Sequence, residues 1–362
     1  MGFISVLFAL LAQEKPSVPI DQKKVDAAVE KGAAWLLRQE YSGWDYGEGR
    51  TCRYDDFVLY TLLHAGVDRK NPLFQKLLQN ILGCKLEVTY CVAFQAMLLS
   101  ELDPTAFQPR ILQCAQFLID TQCANGQWNY GRAAPRDAPT PARCDVPTGA
   151  QTKPKKPSKV YHLRRNGKST LPSGDNSNSQ YAALGLRACM EANVFPPPET
   201  LRQVRRWWIE EQNRDGGWCY GSQGSGESYG SMTAGAIAGL ILAKHFLGEE
   251  WKSDPSVNRG MRWLAANFTV KENARVKGGN AWFYYYYLYG LERVGVSSGA
   301  GRFGAHDWYA AGATELLQAQ RGDGSWYEGG TYGGAVKDTC FAILFLRRAT
   351  IPLPNVASSS KR

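Results

Sequence analysis

Long apolar segments are scarce in this chain of 362 residues. The run from Met1 to Ala12 is 12 residues long, too short to cross a bilayer, and no later segment qualifies, so no transmembrane segment is expected. Histidine is also scarce, with four residues (His64, His162, His245, His306) scattered along the chain. The nine cysteines (Cys52, Cys84, Cys91, Cys114, Cys123, Cys144, Cys189, Cys219, Cys340) are odd in number and irregularly spaced. That pattern gives no disulfide framework, and several fall inside apolar helical runs where a thiol serves as a small hydrophobe. Serine nucleophile elbows, phosphate-binding loops and dinucleotide fingerprints are missing. Acidic residues fall short of basic ones, 33 against 42, for a formal charge of +9. Residues 131–176 alone hold ten Lys/Arg against three Asp, which is +7 of that +9. The remainder is close to neutral, and no nucleic-acid partner is expected from one basic loop.

Met1–Ala12 followed by polar QEKPSVPIDQKK has the shape of the apolar core and cleavage end of a secretory signal, without the usual basic start. Residues 1–20 are therefore read as a signal or N-terminal arm. Export to a periplasmic or extracellular space is expected, with a buried N-terminal strand and a cytoplasmic protein as the alternatives.

Aromatics and glycines are abundant: 11 Trp, 18 Tyr and 37 Gly. Some of them recur in a fixed pattern of Gln, three residues, Gly, one residue, Trp. It occurs at Gln122–Gly126–Trp128, Gln212–Gly216–Trp218 and Gln320–Gly324–Trp326, with a copy one residue shorter at Gln39–Gly43–Trp44. Each copy follows an amphipathic helix. In the first, Val25, Val29, Ala33 and Leu36 share one face while Lys24, Asp26, Glu30, Lys31 and Arg38 lie on the other; Leu201, Val204 and Trp208 form a later stripe. The segment after each turn is apolar on all sides, as in residues 57–63, 231–243 and 339–346, so each such helix must be enclosed. Residues 72–83 before 87–99, and 254–268 before 280–291, keep the alternation without the signature. Counting inner helices that start near Asp55, Asn178, Ser231 and Lys337, the pairs total six. The predicted fold is all-α: an (α/α)6 toroid of six outer and six inner helices over residues 21–349, with a tail at 350–362.

These turns resemble those of squalene–hopene cyclases and protein prenyltransferase β subunits, which share the α/α toroid, and especially short bacterial proteins built of the repeat alone. The resemblance covers about Asp21 to Ala349 and implies structural roles: Gln122, Gln212 and Gln320 capping an adjacent helix end, Trp128, Trp218 and Trp326 stacking on it. The excursion between Gly131 and Asn176, rich in Pro, Lys, Thr and Gly, is read as a disordered basic insertion, or else as a lid over one barrel end.

In such a barrel the N-terminal ends of the inner helices gather at one mouth, which is the default site. Its expected ligand-binding rim is Tyr54, Tyr90, Asn178, Gln180, Tyr181, Thr233, Trp282, Tyr285, Thr339 and Cys340, with Asp55, Asp56 and Asp338 as candidate catalytic carboxylates. The cyclases protonate an alkene through an Asp-x-Asp-Asp-Thr-Ala motif, and Arg53-Tyr54-Asp55-Asp56-Phe57 lacks its first Asp and its Thr-Ala. Prenyltransferases bind zinc through Asp-x-Cys and a later His; Asp338-Thr339-Cys340 matches the first half, but no His follows. Neither metal nor cofactor is expected, and Asp55, Asp56 and Asp338 also suit simple helix caps with Cys340 as core. Glycan cleavage would need two carboxyl groups across the cavity, as Asp55 or Asp56 opposite Glu227 could supply. With both enzyme motifs broken, the sequence favours a non-catalytic toroid. It would bind an apolar or amphipathic, isoprenoid-like molecule or a protein segment in an aromatic cavity. The alternative is an enzyme, terpenoid-directed or glycan-cleaving.

Overall fold

The computed structural model describes residues 20–40, 44–45, 51–52, 54–131, 156–167, 171–276, 283–329 and 334–353. The Met1–Ala12 run, most of the basic excursion and Trp282 lie outside them.

Among the described residues, twelve α-helices alternate between two layers. The outer ones are α1 (Gln22–Leu36), α3 (Pro72–Gly83), α5 (Gln108–Asp120), α7 (Pro198–Glu210), α9 (Pro255–Ala266) and α11 (Trp308–Ala319). Their starts are locally encoded. Asp21, Asn71, Asp254 and Asp307 each accept a backbone N–H of the first turn, and proline opens α3, α7 and α9, where its missing N–H costs nothing. Each outer helix buries one stripe, such as Val25, Val29, Ala33 and Leu36 of α1.

The inner helices are α2 (Asp55–His64), α4 (Thr89–Leu102), α6 (Asn176–Glu191), α8 (Gly230–Phe246), α10 (Tyr284–Ser298) and α12 (Ala335–Arg347). They pack in sequence, α2 on α4, α4 on α6, and so on to α12, which returns to α2 and closes the ring; α1 covers the seam between α12 and α2. The fold is thus the expected toroid. Close approach of inner helices is set by small residues: a Cβ on Gly185 of α6 would stand 2.8 Å from the Cα of Ala93 in α4.

The recurrent turn proves to be the device that fastens one pair to the next. Gln122 Nε2 donates to Gly126 O of its own turn at 3.0 Å and to Thr200 O of α7 at 3.0 Å. Gln212 bridges Gly216 O and Ser256 O of α9, and Gln320 bridges Gly324 O and Ala28 O of α1, which staples the ring shut. The glycines carry φ of +94°, +93° and +97°, and their faces rest on backbone carbonyls of the next outer helix, Gln203 O lying 2.6 Å from where a Cβ of Gly126 would be. Only glycine fits both the left-handed backbone and the contact. Each tryptophan is fully buried and donates its indole N–H to a carbonyl ten residues earlier: Leu118, Trp208 and Leu316. Burying one such ring is worth on the order of 4–6 kcal/mol by area.

The described part of the excursion is docked rather than free. Tyr161–His162 pairs in parallel with Val194–Phe195, and Arg165 donates to Gln122 Oε1 at 2.6 Å. At the opposite end of the barrel, Thr350 donates from its N–H and hydroxyl to the buried Glu292 carboxyl at 2.9 and 2.6 Å.

Candidate active site

The first turns of all six inner helices converge on one cavity of about 280 Å3. It takes Asp56 from α2, Tyr90 from α4, Ser177 from α6, Ser231 from α8, Tyr286 from α10 and Lys337 from α12. Its walls are aromatic: Tyr54, Phe57, Phe94, Tyr130, Tyr220, Tyr229, Phe283 and Phe341 also face it. A second cavity of about 300 Å3 shares Asp56 and Cys91 with the first and adds Asp55, Asn80, Lys85, Glu87 and Gln95.

Asp55 and Asp56 are the first two residues of α2 yet do not cap it; Tyr54 occupies the cap position with no side-chain cap bond. Both carboxyls instead reach sideways to other helices. Asp55 Oδ2 accepts from Asn80 Nδ2 of α3 at 2.9 Å, and Asp56 Oδ1 accepts from Gln95 Nε2 of α4 at 3.0 Å. Gln95 is in turn held by Arg110 of α5, whose Nε donates to Gln95 Oε1 at 2.5 Å while Nη2 donates to Ile81 O and Cys84 O. Arginine can only donate, so the Gln95 oxygen must face Arg110 and its NH2 must face Asp56. Asp56 Oδ1 is therefore an acceptor, and a proton on this carboxyl resides on Oδ2.

Asp56 is 5 % exposed, and burial, reinforced by the neighbouring Asp55, pushes its pKa up to about 7 against the lowering pull of Gln95 and Arg110. Near neutral pH it exists in both protonation states, the property of a general acid or base.

Across the rim, Asp338 Oδ2 accepts the N–H of Glu328 at 3.2 Å, and burial raises Asp338 to about 6. Glu328, raised by burial and the Asp338 charge to about 7, accepts the N–H groups of Phe283 and Tyr284 at 3.2 and 2.8 Å. It thereby caps α10 and supports Phe283 in a left-handed backbone (φ 59°). Lys337 lies over the Phe283 ring.

Of the rim expected from sequence, Tyr54 and Tyr90 line the cavity with Asp56. Along the wall, the Tyr90 hydroxyl bonds Ser177 Oγ, which bonds Tyr286 OH at 2.6 Å; behind it, Tyr286 is bonded by Gln180 Nε2, and Gln180 Oε1 accepts from the buried Arg293 at 2.6 Å. Tyr181 packs between Tyr90 and the Arg293 guanidinium. Asn178 is buried against the α6 cap Asp175. Thr233 and Thr339 hold the backbone N–H of Trp218 and Trp326 at 3.0 Å. Tyr285 is buried in the core, and Cys340 is a buried thiol pushed up to about 12 by desolvation. Asp338 is the fourth residue of α12 and no cap. Glu227 is exposed and not part of either cavity wall. Among the described residues no cluster of three or more His, Cys, Asp or Glu could hold a metal ion.

Sequence reasoning missed Gln95, Arg110, Tyr130, Tyr220 and Glu328. A signal existed for most: Gln95 is a polar residue inside an otherwise apolar inner helix, and Tyr130, Tyr220 and Glu328 each stand two residues beyond a repeat tryptophan.

No family model and no curated protein sequence matches the chain. Solved structures do match its fold. A possible member of the GH105 family from Salmonella enterica serovar Paratyphi A superposes with TM-score 0.57 and 11% identity over 96% of this chain and 99% of that one. An α-1,6-mannanase of family GH76 from Salegentibacter sp., crystallised with α-1,6-mannotriose as an inactive variant with two adjacent Asp-to-Asn replacements, gives 0.55 and 10% over 91% and 98%. The unsaturated glucuronyl hydrolase of Bacillus sp. GL1 gives 0.50 and 15% over 91% and 97%. These neighbours correct two expectations. The turns that resemble cyclases and prenyltransferases do not assign the chain to that family, since its toroid matches glycosidases; the turn is a fastening of the fold, as its hydrogen bonds show. The leaning toward a non-enzyme is overturned on the same ground, because structures matching over nearly the whole chain are glycosidases.

Proposed function

We propose that this protein is a glycan-cleaving hydrolase in which Asp56 is the acid and Asp55 the second reacting carboxylate. One observation carries it: a buried carboxyl, half-protonated near neutral pH, with one oxygen fixed by Gln95, stands in the wall shared by two cavities. Asp56 gives the Oδ2 proton to the glycosidic oxygen as the C–O bond breaks, and water supplies the hydroxyl of the new reducing end. Asp55, beside it and anchored to Asn80, either activates that water or attacks the anomeric carbon first; the anomer formed distinguishes the two. The tyrosine walls offer faces for sugar rings and hydroxyls for hydrogen bonds. The adjacent-Asp replacement in the inactive mannanase supports the assignment. Asp338 is assigned to holding the rim with Glu328.

Export fits a polysaccharide substrate, and Cys91 is disulfide-bonded, as in an oxidising compartment. No helix among the described residues is long and apolar enough to cross a membrane. The test is release of reducing ends from neutral, amino and acidic oligosaccharides. Activity that falls at least 1,000-fold in both Asp56→Asn and Asp55→Asn, roughly the loss of an acid–base group and its partner, supports the reading. An inert wild type, or full activity in either variant, overturns it. A second reading rests on Phe57, Phe94, Met232 and Phe341 in the central wall, which suit an apolar or amphipathic ligand; a lipid mass retained in native mass spectrometry would favour it.

A further inference from the structure

The hydroxyls of the central cavity permit an inference about substrate class that rests on the glycan-cleaving reading. Tyr90 of α4, Ser177 of α6 and Tyr286 of α10 stand side by side in its wall. Ser177 Oγ bonds both phenols, Tyr286 at 2.6 Å. Behind them Gln180 Nε2 bonds the Tyr286 oxygen, and Arg293 Nη2 bonds Gln180 Oε1 at 2.6 Å. Arg293 is 1 % exposed, and its guanidinium lies 4.9 and 4.6 Å from the ring centres of Tyr181 and Tyr289. Gly235 of α8 makes room for the amide, since a Cβ there would collide with Gln180 Oε1.

The buried arginine fixes the direction of this chain of bonds. A guanidinium only donates, so the Gln180 oxygen faces it and the Gln180 NH2 donates to Tyr286. Gln180 therefore takes no proton from the hydroxyls. The three of them hold three protons, and the two bonds through Ser177 use two. Whichever way those bonds run, the third proton stays on an oxygen of a cavity-lining residue. The Tyr90 and Tyr286 hydroxyls also interact, and a ligand oxygen would take the proton from that contact. Beside the trio the wall is apolar. The Phe341 ring stands 5.6 Å from that of Tyr286, and Phe57 lies 4.6 Å from both Phe341 and Phe94. Other hydroxyls and the Lys337 ammonium face the cavity too, but this set has its polarity locked from behind. An oxygen that accepts without donating, next to a methyl, matches the donor and the phenyl face together; on a sugar that is an acetamido group. We propose that the central cavity binds an N-acetylated sugar, its carbonyl on the hydroxyl trio and its methyl against Phe341, with Gln180 and Arg293 as positioning residues.

Calorimetry at pH 7 tests it with methyl glycosides of N-acetylglucosamine, N-acetylgalactosamine and N-acetylmannosamine. Each is compared with its parent hexoside and with its N-thioacetyl form, whose sulfur keeps the shape but accepts weakly. At least one acetamido glycoside should bind about tenfold tighter than its hexoside and about fivefold tighter than its N-thioacetyl form, the worth of one hydrogen bond. Gln180→Glu keeps the size but turns a carboxylate oxygen, held ionised by Arg293, toward Tyr286, so the wall consumes all three protons. Its preference for the acetamido glycoside should vanish, with hexoside affinity and Tm near wild type. A preference kept in folded Gln180→Glu, an N-thioacetyl form bound as tightly as the acetamido one, or no acetamido glycoside bound above its hexoside would overturn the proposal. The wild-type comparison decides alone where Gln180→Glu does not fold. The hydrolase reading fails separately: a protein that prefers acetamido glycosides yet releases no reducing ends keeps the site and loses the reaction.

Discussion

Asp56→Asn should make the protein more stable at alkaline pH while removing its chemistry. The sign follows from where the carboxyl sits. Its pKa is about 7 in the fold and about 3.9 in an unfolded chain. Below about pH 4 both states hold the proton and Asp56 contributes no pH dependence. From about 4 to 7 the unfolded state ionises while the folded state stays protonated, so the folded state binds more protons and stability falls as pH rises. Above 7 both are ionised and the loss is complete, at roughly 3 units times 1.36 kcal/mol, or about 4 kcal/mol. Asparagine has the same shape, can still accept from Gln95, and has no ionisation to suppress. The stability difference between variant and wild type should therefore open from about 1 kcal/mol at pH 4.5 to about 4 kcal/mol at pH 8, then stay flat. With unfolding entropy of about 2.1 cal/mol/K per residue, that is about 5 °C in Tm for a chain of this length. Urea melts at pH 4.5, 6, 7.5 and 8.5 read it directly. Parallel curves for the two proteins would mean that Asp56 is not held protonated, and the acid assignment would fall with it. A gain in stability coupled to lost activity is the signature of a site strained for function.

Gln95→Leu removes the hydrogen bond that favours ionised Asp56. At about 1.5–3 kcal/mol for a bond to a charged group, the acid's titration should move up by about 1–2 units, seen by carboxyl infrared titration and in the pH–rate profile; an unmoved titration would mean that Gln95 does not tune Asp56. Gln212→Ala cuts the two bonds donated to the Gly216 and Ser256 carbonyls together with the one accepted from Arg259, and should cost about 1–3 kcal/mol in urea melts with activity per folded molecule unchanged. A cost near zero would mean that packing alone holds the repeat.

Much of the architecture is legible along the chain because its causes are local. The amphipathic stripe of α1, the Asp and Asn caps, the prolines that open outer helices and the all-round apolar inner helices each lie within one helix of sequence. The repeated Gln-Gly-Trp turn adds the pairing, and six pairs leave closure as the way to bury every inner helix. The same local clarity misled on kinship, since a turn selected for a left-handed glycine against a neighbouring carbonyl and a buried indole reports geometry rather than reaction.

The chemistry belonged to contacts that no window of sequence contains. Asp55-Asp56 reads equally well as a pair of helix caps. What separates the readings is that Gln95 lies 39 residues away and is oriented by Arg110, another 15 along, on a different helix. Likewise Tyr130 and Tyr220 come from turns 90 residues apart, and their hydroxyls meet at 3.3 Å at the mouth. Sequence alone determined the helices, their two layers and the ring, because periodicity and capping act through neighbours along the chain. Only the tertiary structure decided which carboxyl is kept protonated and what surrounds it, because ionisation responds to burial and charge through space, and burial is set by ring closure.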